Sequence, residues 1–201
     1  MITDVIRVSS RGRRMEQALL EADKVAQYKG LSRKGALQLR LLTEETMGLL
    51  RSITGETEAD FWIEEKQGEY ELHLKTETRM NSVKRENLLA ASTSGKNESA
   101  KGLMGRLRDF FDRGEDADLA GYTSTMMLGG EYDAATSPLM DWAWSLSRYE
   151  EQLAEGVDRR EADALAAWDE LEKSVVKNVA DDVKVGIRND VTEMIIVKKL
   201  A

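Results

Sequence analysis

The chain contains no cysteine, which excludes disulfide bonds and thiolate chemistry. It has one histidine, His73, and this argues against a histidine-rich metal site and a histidine-based catalytic triad, so we predict no metal site. No run of residues approaches the roughly 20 apolar positions that a membrane span requires. The first residues lack the basic end and apolar stretch of a signal peptide. We therefore expect a cytoplasmic protein that does not enter a membrane.

Acidic residues outnumber basic ones, 37 to 29, which gives a formal net charge of −8. Nonspecific nucleic-acid binding rests on the neutralisation of phosphates by lysine and arginine, so this charge argues against a nucleic-acid partner. The length of 201 residues, with 41% hydrophobic and 33% charged residues, is typical of one globular domain. We expect a single domain over residues 1–201 whose partner is a protein.

The apolar residues follow strand and helix periods in a clear order along the chain. A short strand is followed by two helices, the second capped by Ser32 and apolar over a wide arc. Two strands then alternate around a turn at Gln67–Gly68, and a second hairpin follows near residue 190. The predicted bounds are Val5–Ser9 (strand), Arg13–Lys29 and Ser32–Ile53 (helices), Ala59–Glu65 and Tyr70–Thr76 (strands), and Val183–Ile187 and Thr192–Val197 (strands).

Residues 113–171 interrupt this order and are predicted to form a helical insertion. Their first half is rich in glycine and acidic residues, and their second half contains the only proline, Pro138, which suits the first turn of a helix. Apolar residues then recur at spacings of three and four, which predicts a helix that ends at Gly156 and another over Arg159–Ala180. This hairpin has an apolar stripe that either packs on the sheet or forms a homodimer or partner interface. The stripe consists of Leu139, Trp142, Leu146, Tyr149, Leu165 and Trp168.

The second strand of the first hairpin contains His73. Its alternation places Leu72 and Leu74 on one face. Glu71, His73 and Lys75 lie on the other face. Because one face of such a strand is covered and the other is wetter, the sequence predicts a solvated or half-buried histidine without a catalytic role.

Two segments contain candidate catalytic or binding residues. Glu44 lies on the second predicted helix, where a carboxylate that faces a cleft would serve as a general base. A polar loop that runs into a later predicted helix is the second segment, and helix N-termini bind phosphate through free amide groups and the helix dipole. The alternatives are a solvated helix face and a flexible loop before a capped helix. The candidate anion-binding residues are Ser94, Gly95, Lys96, Gly102 and Gly105.

Several short segments match the pattern of a known family. Thr43-Glu44 resembles the start of its first helix motif, and Lys101–Gly105 resembles its glycine box. Ala180–Val183 followed by Met194–Lys198 resembles its closing segment. In the order of these elements the chain resembles the histidine-kinase-like (GHKL) ATPase superfamily, nearest to the anti-sigma-factor serine kinases.

This resemblance implies a two-layer α/β sandwich of a mixed sheet with helices on one face, the Bergerat-like arrangement, plus the inserted helical hairpin. It also implies ATP as the cofactor and Glu44 as the catalytic residue. The loop and helix residues Ser94 to Gly105 named above would then form the nucleotide-binding set.

The chain departs from the family at the positions that hold the metal and the adenine. Gly48 stands where the family has the asparagine that holds Mg²⁺, and glycine offers no side-chain oxygen to the ion. No aspartate occurs over Thr76–Thr78, where the family reads the adenine amino group. We therefore expect a regulatory, protein-binding domain in which nucleotide binding is weak or lost, without Mg²⁺-dependent turnover.

Two alternatives stay open. One is an active, ATP-binding serine kinase of the anti-sigma-factor type that uses Glu44 as its base. The other is a small-molecule sensor that holds a different ligand in the former nucleotide cleft. Dependence on Mg²⁺ separates the kinase from the two binding domains, because only the kinase requires the ion.

Overall fold

In the computed structural model the described residues are 1–9, 12, 14–54, 58–77, 142–188 and 191–200. They form one six-stranded sheet and five helices. Among these residues, no helix has the length and apolar character needed to cross a bilayer. In chain order the elements are β1 (Ile6–Ser9), α1 (Met15–Tyr28), α2 (Arg33–Thr54), β2 (Glu58–Lys66), β3 (Glu69–Glu77), β4 (Trp142–Ser145), α3 (Leu146–Asp158), α4 (Ala162–Glu172), α5 (Val175–Val179), β5 (Asp182–Arg188) and β6 (Val191–Lys199).

The strands are ordered β1-β2-β3-β6-β5-β4, and each described pair of neighbours runs antiparallel. The expectation of a mixed sheet is therefore wrong for the strands that the structure describes. Hairpins β2–β3 and β5–β6 supply four of these strands, and the strands of a hairpin pair antiparallel. The two hairpins join through β3 and β6. This confirms the prediction that the first and last strand-bearing segments share one sheet.

The first two helices lie close to their predicted bounds. Directly after α1, Gly30 has a φ of +65°, the left-handed conformation that glycine adopts without strain. Ser32 caps α2, since its Oγ accepts a hydrogen bond from the Gly35 amide at 3.1 Å. Helices α1 and α2 pack against each other and against one face of the sheet.

The two-layer α/β arrangement rests on one apolar core between the sheet and these helices. We call the helix-covered face of the sheet the inner face, and Phe61, Leu72 and Ile196 on it are fully buried. Leu39 and Leu42 of α2 are buried to the same extent and belong to the same cluster. Burial of this apolar surface stabilises the fold by roughly 25 cal/mol per Å².

Residues 142–145 form a strand, and the prediction of a helix that begins near Pro138 and includes them is wrong. This strand, β4, pairs antiparallel with β5 at the edge of the sheet. Tryptophan favours strands, and tertiary pairing overrides a local helical spacing. Helix α3 begins only at Leu146, where the Ser145 Oγ accepts a hydrogen bond from the Arg148 amide at 3.4 Å. Pro138 itself lies outside the described residues.

The predicted helical hairpin is present as α3 and α4, which pack together. Gly156 does not end α3, because the helix continues to Asp158. A Cβ atom at Gly156 would lie 2.6 Å from the Cβ of Ala164 on α4, so this glycine permits a close approach of the two helices. The second predicted helix is divided into α4 and α5, and Ser174 caps α5.

The apolar stripe predicted on this hairpin is only partly exposed. Leu146 and Tyr149 are buried in the main core, and Trp168 packs against it. Leu165 is 46% exposed. Leu139 and the side chain of Trp142 lie outside the described residues, so an interface on this hairpin stays a prediction.

Candidate functional site

The predicted nucleotide site is not assembled within the part of the chain that the structure describes. Glu44 is exposed on α2, and Gly48, one turn later, is exposed as well. The assignment of the remaining residues stays a prediction, because they lie outside the described residues. They are Ser94, Gly95, Lys96, Gly102 and Gly105.

A different set of polar residues converges on the outer face of the sheet, the face away from α1 and α2. The two-residue turn at Gln67–Gly68 has positive φ at both positions, the conformation that closes a tight hairpin. The turn fixes the register of β2 against β3. This register places Glu64 opposite Glu71 and Trp62 opposite His73.

Two contacts hold the His73 ring. The ring atom Nδ1 lies 3.1 Å from Glu193 Oε1, so with a hydrogen on Nδ1 the ring donates to this carboxylate. The ring also stacks on the Trp62 indole, with ring centroids 4.6 Å apart and planes inclined by 9°. Contacts from the two neighbouring strands, β2 and β6, therefore set both the orientation and the tautomer of the imidazole.

The second ring nitrogen of His73 faces two carboxylates without a hydrogen bond to either. Nε2 is buried and has no hydrogen-bond partner in the described part of the chain. It lies 3.6 Å from Glu71 Oε2 and 3.8 Å from Glu64 Oε2, distances longer than a hydrogen bond. The candidate ligand atoms of the three residues all lie within 4.8 Å of one another. One nitrogen and two carboxylates thus surround a common point.

The charges of this cluster shift the pKa values of His73 and Glu71 in opposite directions. Burial lowers the pKa of His73, but Glu193 and Glu71 outweigh burial and hold this pKa above its ordinary value of 6.5. The contact with His73 lowers the pKa of the Glu71 carboxyl, against the opposing effect of burial. Without a bound metal, the carboxylates around the imidazole therefore favour its protonated form.

No protein-family model, curated protein or solved structure matches this chain. The chemistry of the His73 cluster is therefore the main guide to function. A histidine between carboxylates has two uses. It keeps its proton and forms a buried ion pair, or it gives up the proton and binds a metal cation.

The sequence predicts a wetter outer face for β3, and this prediction is wrong at the centre of the strand. His73 is 6% exposed and Glu71 is 4% exposed. The turn at Gln67–Gly68 contains the information that pairs these residues with β2, because a two-residue turn fixes the register of its strands. The sequence contains no comparable local pattern for Glu193, which lies 120 residues from His73.

Proposed function

We propose that this chain is a metal-binding domain in which Glu64, Glu71 and His73 hold a divalent transition-metal ion. The observation that carries the proposal is the His73 Nε2 atom, which is buried and faces two carboxylates without a hydrogen bond among the described residues. A buried polar atom without a partner destabilises a protein by about 1–3 kcal/mol. A cation between Nε2 and the carboxylates would satisfy all three side chains at once.

The contact between Glu193 and His73 supports this proposal. Histidine ligands almost always donate their other ring N–H to a carboxylate, a carbonyl or water, which fixes the tautomer and makes the ligating nitrogen more basic. His73 has this arrangement, because Nδ1 lies 3.1 Å from Glu193 and Nε2 faces Glu64 and Glu71. Glu193 is therefore a positioning residue and not a ligand.

The donor atoms favour a transition metal over Mg²⁺ or Ca²⁺. Imidazole suits Zn²⁺ and Fe²⁺, whereas Mg²⁺ and Ca²⁺ prefer oxygen ligands alone. Bonds of about 2.1 Å to nitrogen and oxygen bring the ligand atoms of a tetrahedral site to roughly 3.4 Å from one another. The distances of 3.6 Å and 3.8 Å from His73 Nε2 to Glu71 and Glu64 are therefore only slightly longer than a bound ion requires.

Calorimetric titration of chelator-treated protein with Zn²⁺ tests the proposal, with Mg²⁺ as the comparison ion. We expect one Zn²⁺ per chain and no binding heat from Mg²⁺ at the same concentrations. Zn²⁺ should also raise the stability of the folded chain, because a ligand that binds only the folded state stabilises it.

Single substitutions locate the bound ion. Glu71→Gln and His73→Gln should each weaken Zn²⁺ binding by at least about tenfold, since each removes a ligand. Glu58→Gln is the matched control, because Glu58 lies on the same face of β2 as Glu64 but at the other end of the strand, where it pairs with Arg7. Zn²⁺ binding that is equal in wild type, Glu71→Gln and His73→Gln would place the ion elsewhere and contradict the proposal.

A second candidate is the regulatory, protein-binding domain that the family resemblance implies, with nucleotide binding weak or lost. Its support is that β6 pairs with β3, and β5 with β6, in one sheet that α1 and α2 cover on one face. The antiparallel pairing of each described strand counts against it. Nucleotide titration with and without Mg²⁺ tests this candidate, and we expect no Mg²⁺-dependent turnover. Phosphate release that disappears in Glu44→Gln would favour the active kinase instead.

A further inference from the structure

The Lys66 ammonium contacts the same two carboxylates that face His73. Lys66 Nζ lies 3.0 Å from Glu64 Oε1 and 3.9 Å from Glu71 Oε2. His73 Nε2 lies 3.6 Å from this same Glu71 oxygen and 3.8 Å from the other oxygen of Glu64. Both carboxylates are therefore shared between a lysine and the proposed metal position.

The backbone at Lys66 is held in place, whereas its side chain reaches solvent. The adjoining turn is fixed by two hydrogen bonds, from the Gly68 amide to Glu65 Oε1 at 3.0 Å and from the Leu200 amide to the Gly68 carbonyl at 2.9 Å. The Lys66 side chain is 50% exposed, against 17% for Glu64 and 5% for Glu71. An ammonium on a long, half-exposed stem can move into water without losing much packing.

We propose that Lys66 is a specificity-determining residue of the metal site, an inference that rests on the proposed metal-binding function. In the metal-free protein its ammonium neutralises Glu64 and Glu71. A divalent ion displaces the ammonium into solvent, releases the Nε2 proton of His73 to water, and takes both carboxylates together with the neutral imidazole. Attraction to a carboxylate doubles when the charge of the cation doubles, so a divalent ion can displace the ammonium where a monovalent ion has no electrostatic advantage. Lys66 thus sets the affinity threshold of the site and rejects monovalent cations.

Zn²⁺ titration of wild type, Lys66→Met and Lys75→Met tests this role, with circular dichroism to check that each variant is folded. Methionine keeps most of the apolar stem and removes the charge. Lys75 lies on the same face of β3 and is exposed, and it has no ion pair with Glu64 or Glu71 among the described residues, so it controls for the general loss of a positive charge. Lys66→Met should bind Zn²⁺ about two- to fivefold more tightly than wild type, the range expected for one partly exposed ion pair. Lys75→Met should stay close to wild type.

A second readout follows the lysine itself. Acetylation of individual lysines by a water-soluble reagent, measured by mass spectrometry, should accelerate at Lys66 when Zn²⁺ is added and stay constant at Lys75. Equal affinities for Lys66→Met and Lys75→Met, with unchanged acetylation of Lys66, would overturn this inference and leave the metal site intact. Absence of Zn²⁺ binding to wild type, or binding that His73→Gln and Glu71→Gln do not weaken, would overturn the metal-binding function and this inference together.

Discussion

The two faces of strand β3 are buried to a similar extent by different means. On the inner face, Leu72 and Leu74 are 0% and 4% exposed, and on the outer face Glu71 and His73 are 4% and 6% exposed. The inner residues pack among apolar side chains, whose removal from water stabilises the fold. The outer residues are ionisable, and the burial of charge is unfavourable unless the charges are paired. Equal burial therefore has unequal energetic meaning, because burial stabilises the inner face directly, whereas on the outer face its effect depends on how the charges are paired.

A substitution in the apolar core tests the inner face. Leu72→Ala removes a fully buried side chain and leaves a cavity, so the free energy of unfolding should fall by about 2–5 kcal/mol. Urea denaturation of chelator-treated protein measures this loss. The Zn²⁺ affinity of the folded variant should be unchanged, because Leu72 points away from His73. A loss smaller than about 1 kcal/mol would show that the inner face is not the main source of stability.

On the outer face, the expected effect is on metal affinity. Glu193→Ala removes the acceptor of the His73 Nδ1 hydrogen bond, and Zn²⁺ affinity should fall by about 10–100-fold. Glu193→Gln should lose less, because the amide oxygen still accepts that hydrogen bond. Calorimetric titration of both variants separates a positioning role from a general loss of negative charge. Identical losses in Glu193→Ala and Glu193→Gln would indicate that charge alone matters.

Two glycine substitutions test whether the hairpin of α3 and α4 is packed as densely as the inner face. Gly156→Ala would place its Cβ 2.6 Å from the Cβ of Ala164, so we expect a loss of about 1–3 kcal/mol in unfolding free energy. Gly48→Ala, on an exposed position of α2 where the new Cβ would contact no other element among the described residues, should instead stabilise by roughly 0.5–1 kcal/mol. Thermal denaturation compares the two variants. Stabilisation by both would mean that helix propensity outweighs packing in the hairpin.

The outer face should also give the stability of the folded chain a weak dependence on pH. The pKa of His73 is raised above its ordinary value of 6.5 in the folded state, where burial is outweighed by Glu193 and Glu71. The resulting stabilisation of the metal-free protein is fully present below pH 6.5 and is lost as the pH rises through the folded-state pKa. Urea midpoints from pH 6 upward, in the presence of a chelator, measure this decline. The decline should be absent in His73→Gln, and a decline of equal size there would assign it to another group.

Much of the fold follows from local patterns, because the elements near β3 are specified by short-range chemistry. Gly30, the Ser32 cap and the Gln67–Gly68 turn are local devices, and the predicted bounds of the elements beside them lie close to the observed ones. The strand β4 is different, because it exists through pairing with β5. The spacing of apolar residues at three and four positions does not reveal a partner strand. The prediction of a helix over residues 142–145 is wrong for this reason.

The candidate site likewise has a part that local patterns specify and a part that depends on tertiary pairing. The alternation of β3 and the turn at Gln67–Gly68 together specify that Trp62, Glu64, Glu71 and His73 share one face. The contribution of Glu193 depends on the ladder between β3 and β6, which no local pattern specifies. Burial of the outer face is likewise a tertiary property, and for this reason the prediction of a solvated or half-buried His73 is wrong.

The pairing of β3 with β6 also means that β3 is synthesised well before its partner strand. His73 and Glu193 lie 120 residues apart, so at about 5–20 residues per second the ribosome makes β3 roughly 6–24 s before β6. Until β6 arrives, the β3 edge of the nascent hairpin lacks the strand with which it pairs in the folded sheet, and unpaired edges promote association between chains. Closure over such a separation also slows folding. During this interval the nascent chain also lacks Glu193, the residue proposed to position His73.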